Sequence, residues 1–476
     1  MRKTKIVCTI GPATDDDSVM RQVMLSGMNV ARFNFSHGDH ATHEKRFEQI
    51  SRLREELGLP IATLMDTRGP EIRLGKFVDD KPVTIETGDT YTLTTDDVLC
   101  DDKVGSISFK NLPRDVKPGV HILVNDGVIE MVVEKVTVTT IVCHVIHGGV
   151  LSNNKGINVP GVQLSMPYLS ESDKNDLEFA AKMGFDFIAA SFVRTSADID
   201  YLRKYTQSLG WFDVRIIAKI ENVEGVRNID EILEASDGIM VARGDLGVEI
   251  PFEQIPSVQK QLIRKGYQAG KQVITATQML ESMITNPRPT RAEITDVANA
   301  IYDGTSAIML SGETAAGAFP VEVVRTMDLI ARTTEDDIDY KGMHSASRTK
   351  KNADIANAIA HATVTTAHDL DAAAILTVTM SGVTAREISK YRPCCPIISC
   401  TVSERVRRQM NLSWGVYPML VDEVSNTDSL FDASIHAALR SDLVNKGDIV
   451  VITAGAPVGV SNTTNMMNKI VNNIIM

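Results

Sequence analysis

Charged side chains in this chain stand where short apolar runs end. Lys219 and Glu221 stand at the end of the run VRIIAKI (214–220), and Arg243, Gly244 and Asp245 at the end of GIMVAR (238–243). Arg32, Asn34 and Ser36 lie at the end of MNVARFNF (28–35), and Asp66 and Thr67 end IATLMD (61–66). Thr277 and Gln278 stand at the end of KQVITAT (271–277), and Ser311 and Glu313 at the end of SAIMLSG (306–312). Along a strand, residues two apart share a side. Arg32, Asn34 and Ser36 therefore face one way and Ala31, Phe33 and Phe35 the other, while Lys219 and Glu221 share a side. Taken singly, each has a structural reading: an ion pair Lys219–Glu221, Arg32 capping Asp66, Asp245 capping the turn before Leu246. Together they form a polar ring that structure alone explains poorly, because an unpaired buried charge costs several kcal/mol.

Two carboxylates, Glu221 and Asp245, with no histidine or cysteine beside them suit a hard cation, Mg²⁺ or Mn²⁺. The neutral oxygens of Asn34 and Ser36, with Asp66 and a nearby carbonyl, suit a larger monovalent cation. Arg32, Arg73 and Lys219 suit a phosphate and a developing oxyanion. A metal with lysine and arginine fits phosphoryl transfer or enolate stabilisation, and nothing resembles a Ser-His-Asp triad.

The ring needs a scaffold that brings distant strand ends together. Strand-like runs alternate with helix-period segments in two blocks, 1–70 and 168–344, giving about eight strand–helix units, the number that closes a (β/α)8 TIM barrel. Thr290 and Glu293 form a capping-box pattern before one helix. A doubly wound open sheet would want a phosphate fingerprint after its first strand, and Gly11-Pro12 is not one. Residues 71–167 carry strand signals only and read as an inserted small β-barrel. After the polar stretch KGMHSASRTKKN, residues 345–476 restart the alternation as a C-terminal open α/β domain. The length, 476 residues, accommodates three such domains.

Composition narrows the function. A net charge of −12 gives no basic face for nucleic acid and means that any phosphate site is built locally. Six scattered cysteines without a CxxC pair read as buried, reduced thiols. The N-terminal MRKTKIVCTIG is too short in its apolar part for a signal peptide, and no run reaches the roughly 20 apolar residues of a membrane span. The expectation is a cytoplasmic protein. Nothing follows the third section, so an appended phosphotransfer domain is not expected.

The segment Ile216-Ile217-Ala218-Lys219-Ile220-Glu221-Asn222 resembles the signature of pyruvate kinases. So do TKIVCTIGPAT, NVARFNFSHG, MDTRGPEIR, NKGINVPG, DGIMVARGDLGVEIP, ITATQMLESM, NPRPTRAEITDVANAI and MLSGETAAG, in family order along essentially the whole chain. The resemblance implies a homotetramer of barrel domain A, lid domain B and regulatory domain C, with the active site between A and B. It implies transfer of a phosphoryl group from phosphoenolpyruvate to ADP, giving pyruvate and ATP, with Mg²⁺ or Mn²⁺ and K⁺ as cofactors. Lys219 would stabilise the transferring group and the enolate, and Arg32 would meet the phosphoryl group. Glu221 and Asp245 would hold the divalent ion; Asn34, Ser36, Asp66 and the Thr67 carbonyl would hold potassium. Gly244 and Thr277 would line the substrate site, Thr277 near the proton route. His37, Arg73 and Lys155, with Asn34, would serve the nucleotide. An acidic residue at the place of Glu71 goes, in that family, with potassium dependence.

In the third section, Thr379, Ser381, Gly382 and Thr384 follow a strand and open a helix, a ready anion cradle. They resemble the effector-phosphate loop of regulated pyruvate kinases. Val383 stands where some members place arginine, and the loop Gly455-Ala456-Pro457-Val458-Gly459 adds no cation, so a monophosphate effector (a sugar phosphate or a nucleotide) is expected at least as much as fructose bisphosphate. Two rivals remain: a metal-dependent pyruvate-enolate lyase or aldolase on the same barrel, independent of ADP, and an idle metabolite sensor, which should have lost Lys219, Glu221 or Asp245.

Overall fold

The eight expected apolar runs all form parallel strands: Lys5–Thr9, Val30–Asn34, Ala62–Asp66, Phe187–Ala190, Arg215–Ile220, Gly238–Ala242, Gln272–Ala276 and Ala307–Leu310. Strands covered on both faces read as nearly continuous Val, Ile, Ala and Met, as these do. Successive strands pair side by side, and the eighth pairs with the first from Lys5–Ala307 to Cys8–Leu310, which closes the barrel. This computed structural model describes residues 1–346, 354–423, 427–455 and 464–471.

Strand alternation divides the apolar residues into two cores. Val7, Val30, Leu64, Phe187, Ile217, Met240, Ile274 and Met309 pack inside the barrel. Ala31, Phe33, Phe35, Ile216, Ala218 and Ile239 face outward, onto the helices. Helix starts are locally encoded. Asp39 caps His40–Glu56, Ser170 and Asp173 make a capping box at Glu171–Met183, and Thr290 and Glu293 make the expected one at Arg291–Tyr302.

Between the third and fourth barrel strands, a seven-stranded sheet forms around its own core, which includes Ile72, Tyr91, Leu93, Ile122, Met131, Ile141 and Val145. Its two edges are Ile72–Arg73 and Val104–Ser106. A bridge between Leu74 and Ile107, the residues just beyond those edges, curls the sheet onto itself. Gln163, Asn158 and Ser165 lead back toward the barrel, and Asn158 reaches Glu249 of the barrel at 3.3 Å.

The C-terminal unit is a five-stranded sheet. Its strand order is Val416–Leu420, Ile397–Thr401, Ala374–Val378, Ile449–Gly455, Thr464–Val471, with only the last pair antiparallel. It docks on the N-terminal end of the barrel. Arg408 meets Asp186 at 2.9 Å, Gln409 donates to the Asp186 and Asp213 carbonyls, and Asn411 to those of Asn29 and Pro60. Between them, the fully buried Leu412 joins the inner barrel core. Among the described residues, no helix is long and apolar enough to cross a membrane.

Candidate active site

The C-terminal ends of the barrel strands and the curled sheet enclose a cleft of about 990 Å³. Arg32, Asn34, Ser36, His37, Thr67, Arg73, Lys155, Lys219, Glu221 and Asp245 all line it. The barrel residues among them converge because a closed barrel brings every strand end to one rim, and Arg73 and Lys155 come from the inserted sheet. Asp66 is fully buried just behind the wall. Gly244 and Thr277 stand at the rim without lining the cleft, joined by a hydrogen bond from the Gly244 N–H to Thr277 Oγ1 at 2.9 Å.

Lys219 is the hub. Its ammonium lies 3.0 Å from Asp66, 2.8 Å from Glu221, and donates to Ser191 Oγ at 2.8 Å. Burial alone would pull its pKa down, but Asp66, Glu221 and Asp245 together outweigh burial and raise it, so the ammonium stays charged. Asp66 binds Arg32 Nε at 2.6 Å, and Arg32 also donates to Thr9 Oγ1 at 2.9 Å. Burial works against the Asp66 carboxylate, yet Arg32 and Lys219 hold it below its ordinary value.

Glu221 behaves differently. Burial, helped by the charge of Asp245 and opposed by Lys219, pushes it up to about 8. Its Oε2 accepts from the Phe192 N–H at 2.6 Å. Its Oε1 touches Lys219 as an ion contact, but is fully enclosed and makes no hydrogen bond. A buried carboxylate oxygen with an open coordination position beside Asp245 fits a divalent cation. No cluster of three or more His, Cys, Asp or Glu ligands occurs among the described residues. A two-carboxylate set suits Mg²⁺, which keeps waters and substrate oxygens as its other ligands.

Two contributors escaped the sequence reading. Ser191 follows the fourth strand and Thr9 ends the first; both face inward by the same alternation that selected Arg32. Ser191 is 2% exposed. It accepts from Lys219 and donates to the Thr67 carbonyl at 2.6 Å, 3.3 Å from Asp66 Oδ1. The turn that carries it is held by Gly69, whose φ of +75° is open to glycine and where a Cβ would come within 2.8 Å of both Ser191 and Phe192. Thr277 (φ 69°), Gln278 (φ 52°) and Phe192 (φ 53°) occupy the left-handed region at the strand ends. Such backbone persists only where its surroundings over-determine it, and is concentrated at functional sites.

On the other wall, Arg73 pairs with Glu71 at 2.8 Å through Nε and donates to the Asn154 carbonyl at 2.9 Å. His37 is exposed and Lys155 half-buried.

Elsewhere, the loop of the C-terminal unit forms as expected: Thr379 Oγ1 accepts from the Gly382 N–H at 2.9 Å, with Gly382 at φ 78°. Thr384 is buried, and its hydroxyl lies 2.6 Å from Thr464 Oγ1. Two guanidinium groups, Arg215 and Arg386, reach the Ser381 carbonyl at 3.1 and 3.4 Å. Positions 456–459 of the companion loop lie outside the described residues.

A closed parallel barrel that gathers a lysine, an arginine and two acidic groups on one cleft defines a metal-assisted enzyme of phosphoryl or enolate chemistry. The sequence matches the pyruvate kinase barrel domain over residues 1–324 and the pyruvate kinase alpha/beta domain over 357–470. It is 50% identical to a pyruvate kinase of Sporosarcina psychrophila over 98% of this chain and 80% of that one. It is 46% identical to a pyruvate kinase of Clostridium acetobutylicum over 98% and 99%. The structure of a pyruvate kinase from Cryptosporidium parvum superposes with a TM-score of 0.93 at 40% identity, covering 99% and 96% of the two chains. The chain belongs to the pyruvate kinase family and is a phosphotransferase; the lyase alternative is not favoured.

Proposed function

We propose that this cleft moves the phosphoryl group of phosphoenolpyruvate to ADP in the following way. Arg32 grips the phosphoryl oxygens, and Lys219 faces the oxygen that becomes the enolate, both preset before charge develops. Glu221 and Asp245 would hold Mg²⁺ or Mn²⁺, which when bound supplies charge neutralisation at the phosphoryl and enolate oxygens. Asn34, Ser36, Asp66 and the Thr67 carbonyl would hold K⁺. Ser191 would hand over the Thr67 carbonyl when the ion arrives. Asn34, His37, Arg73 and Lys155 would orient the nucleotide. Gly244 presents its backbone at the substrate edge, and Thr277 lies beside the route by which the enol gains its proton. Protonation to pyruvate makes the transfer strongly downhill.

The observation that carries this reading is the Lys219 ammonium, held charged between Asp66 and Glu221 at the wall of a cleft it shares with Arg32 and Asp245. The same proposal includes three domains, A at 1–70 and 168–344, B at 71–167 and C at 345–476, a homotetramer and a cytoplasmic location. It includes allosteric control by a sugar phosphate or nucleotide at Thr379, Ser381, Gly382 and Thr384. A lactate-dehydrogenase-coupled assay tests the catalytic part: pyruvate forms only with ADP, a divalent ion and K⁺. Pyruvate formation without ADP, or full activity in sodium-only buffer despite Glu71, would overturn it. Titrating ribose 5-phosphate, AMP and fructose 1,6-bisphosphate against initial rate tests the effector site.

A further inference from the structure

We propose that Cys394 and Cys395 form an oxidisable thiol pair, a modification site outside the catalytic cleft that takes hydroperoxides. The chain has six cysteines, all with free thiols. Cys8, Cys100, Cys143 and Cys400 have no exposed surface at all. Cys394 alone is partly open to solvent, and Cys395, its neighbour in the chain, is 6% exposed. The two occupy the loop between the helix Val383–Lys390 and the strand Ile397–Thr401. That loop is pinned, because the Cys394 N–H donates to Nε2 of His368 at 3.1 Å.

The surroundings divide the labour between the two sulfurs. The neighbouring Cys395 thiol, then the ammonium groups of Lys341 and Lys3, pull the Cys394 thiol below its ordinary value against partial burial. The Cys394 thiol, with burial, pushes Cys395 up. Lys341 is itself held in place by Asp371 at 2.5 Å. A thiolate at the surface with a thiol resolver beside it is the arrangement of a reactive cysteine, whereas buried thiols in apolar surroundings are inert.

The chemistry balances as follows. The Cys394 thiolate attacks one oxygen of the hydroperoxide; an S–O bond forms, the O–O bond breaks, and the leaving oxygen takes a proton as water or alcohol. Cys394 becomes a sulfenic acid and the peroxide is reduced. The Cys395 sulfur then attacks the Cys394 sulfur; an S–S bond forms, the S–O bond breaks, and hydroxide leaves with the Cys395 proton as water. Adjacent Cα atoms lie about 3.8 Å apart across a trans peptide, below the roughly 4.4 Å at which ordinary disulfides begin, so the bridge is strained. Strained bridges are easily reduced, and a dithiol restores the pair.

The full, reduced chain is exposed to hydrogen peroxide and its peptides followed by mass. The peptide carrying Cys394 and Cys395 should lose two hydrogens at least about tenfold faster than any buried cysteine reacts, and dithiothreitol should reverse the loss. In Cys395→Ser the oxidation should stop at a dimedone-trapped sulfenic acid on Cys394, and in Cys394→Ser position 395 should stay reduced. The proposal is overturned if both thiols survive while methionines oxidise, or if the other four cysteines react as fast.

Discussion

Replacing Lys219 by methionine separates the two jobs this lysine performs. Its ammonium neutralises Asp66 and Glu221 at 3.0 and 2.8 Å, and it faces the cleft where enolate charge develops. Loss of one preorganised donor costs about 3–4 kcal/mol, or 10²–10³ in kcat, with KM for phosphoenolpyruvate changing far less. The cost to stability is smaller than the 3–5 kcal/mol typical of a broken buried pair. Asp66 keeps Arg32 and Ser191 as partners. Glu221, already pushed up to about 8 by burial, loses the cation that opposed that rise and stays protonated at pH 7. We expect a loss of about 1–3 kcal/mol, the range for a buried group deprived of its partner. Adding Glu221→Gln removes the stranded carboxyl, so the double variant regains stability but not turnover. Turnover is read by the lactate-dehydrogenase-coupled assay and stability by thermal melting of the same preparations. A folded Lys219→Met protein within threefold of the parent rate, or a double variant that regains turnover, would refute the reasoning.

Ser191→Ala should lower kcat about tenfold, because it loosens Lys219, and should shift K⁺ activation to lower concentrations, because it frees the Thr67 carbonyl that Ser191 otherwise occupies, each hydrogen bond being worth about 1 kcal/mol; an unchanged K⁺ titration would count against it. Gly69→Ala should cost several kcal/mol and most of the activity, because a Cβ there meets Ser191 and Phe192 at 2.8 Å with φ at +75°; a normal melt would contradict it. Lys5 is enclosed and donates to the Val416 carbonyl at 2.6 Å, and burial, then Arg2, lowers it from 10.5 to about 7. Between pH 7 and 10.5 the unfolded chain binds the extra proton, so stability from this site rises with pH over that window and its penalty is complete below pH 7. Lys5→Met should therefore melt higher than the parent at pH 6.5, by an amount on the order of a few kcal/mol, and the gap should shrink toward pH 10; a pH-independent gap would refute the assignment.

The barrel was legible because its signals are strong and local: eight apolar runs, each ended by a polar residue whose side alternation assigns. That rule picked Arg32, Lys219 and Glu221. It passed over Thr9 and Ser191, which obey it equally, because a hydroxyl is cheap to bury and attracts no notice beside a charge. Only the register that sets Ala190 beside Ala218 brings Ser191 to Lys219. The inserted strands announced themselves, but the Leu74–Ile107 bridge that curls their sheet joins residues with no local signal. The Arg215 cation at Ser381 was invisible for another reason: it comes from the barrel, and docking of two units supplies it.

Leu412 carries a last consequence. The innermost layer of the barrel is finished by a side chain that is synthesised roughly a hundred residues after the final barrel strand, Ala307–Leu310. A nascent barrel leaving the ribosome therefore has an open floor until the next unit arrives to plug it. Cutting the chain between the two would remove one member of the inner barrel core. The same plug gives any shift of the C-terminal sheet a mechanical grip on the strands whose far ends hold Arg32 and Lys219.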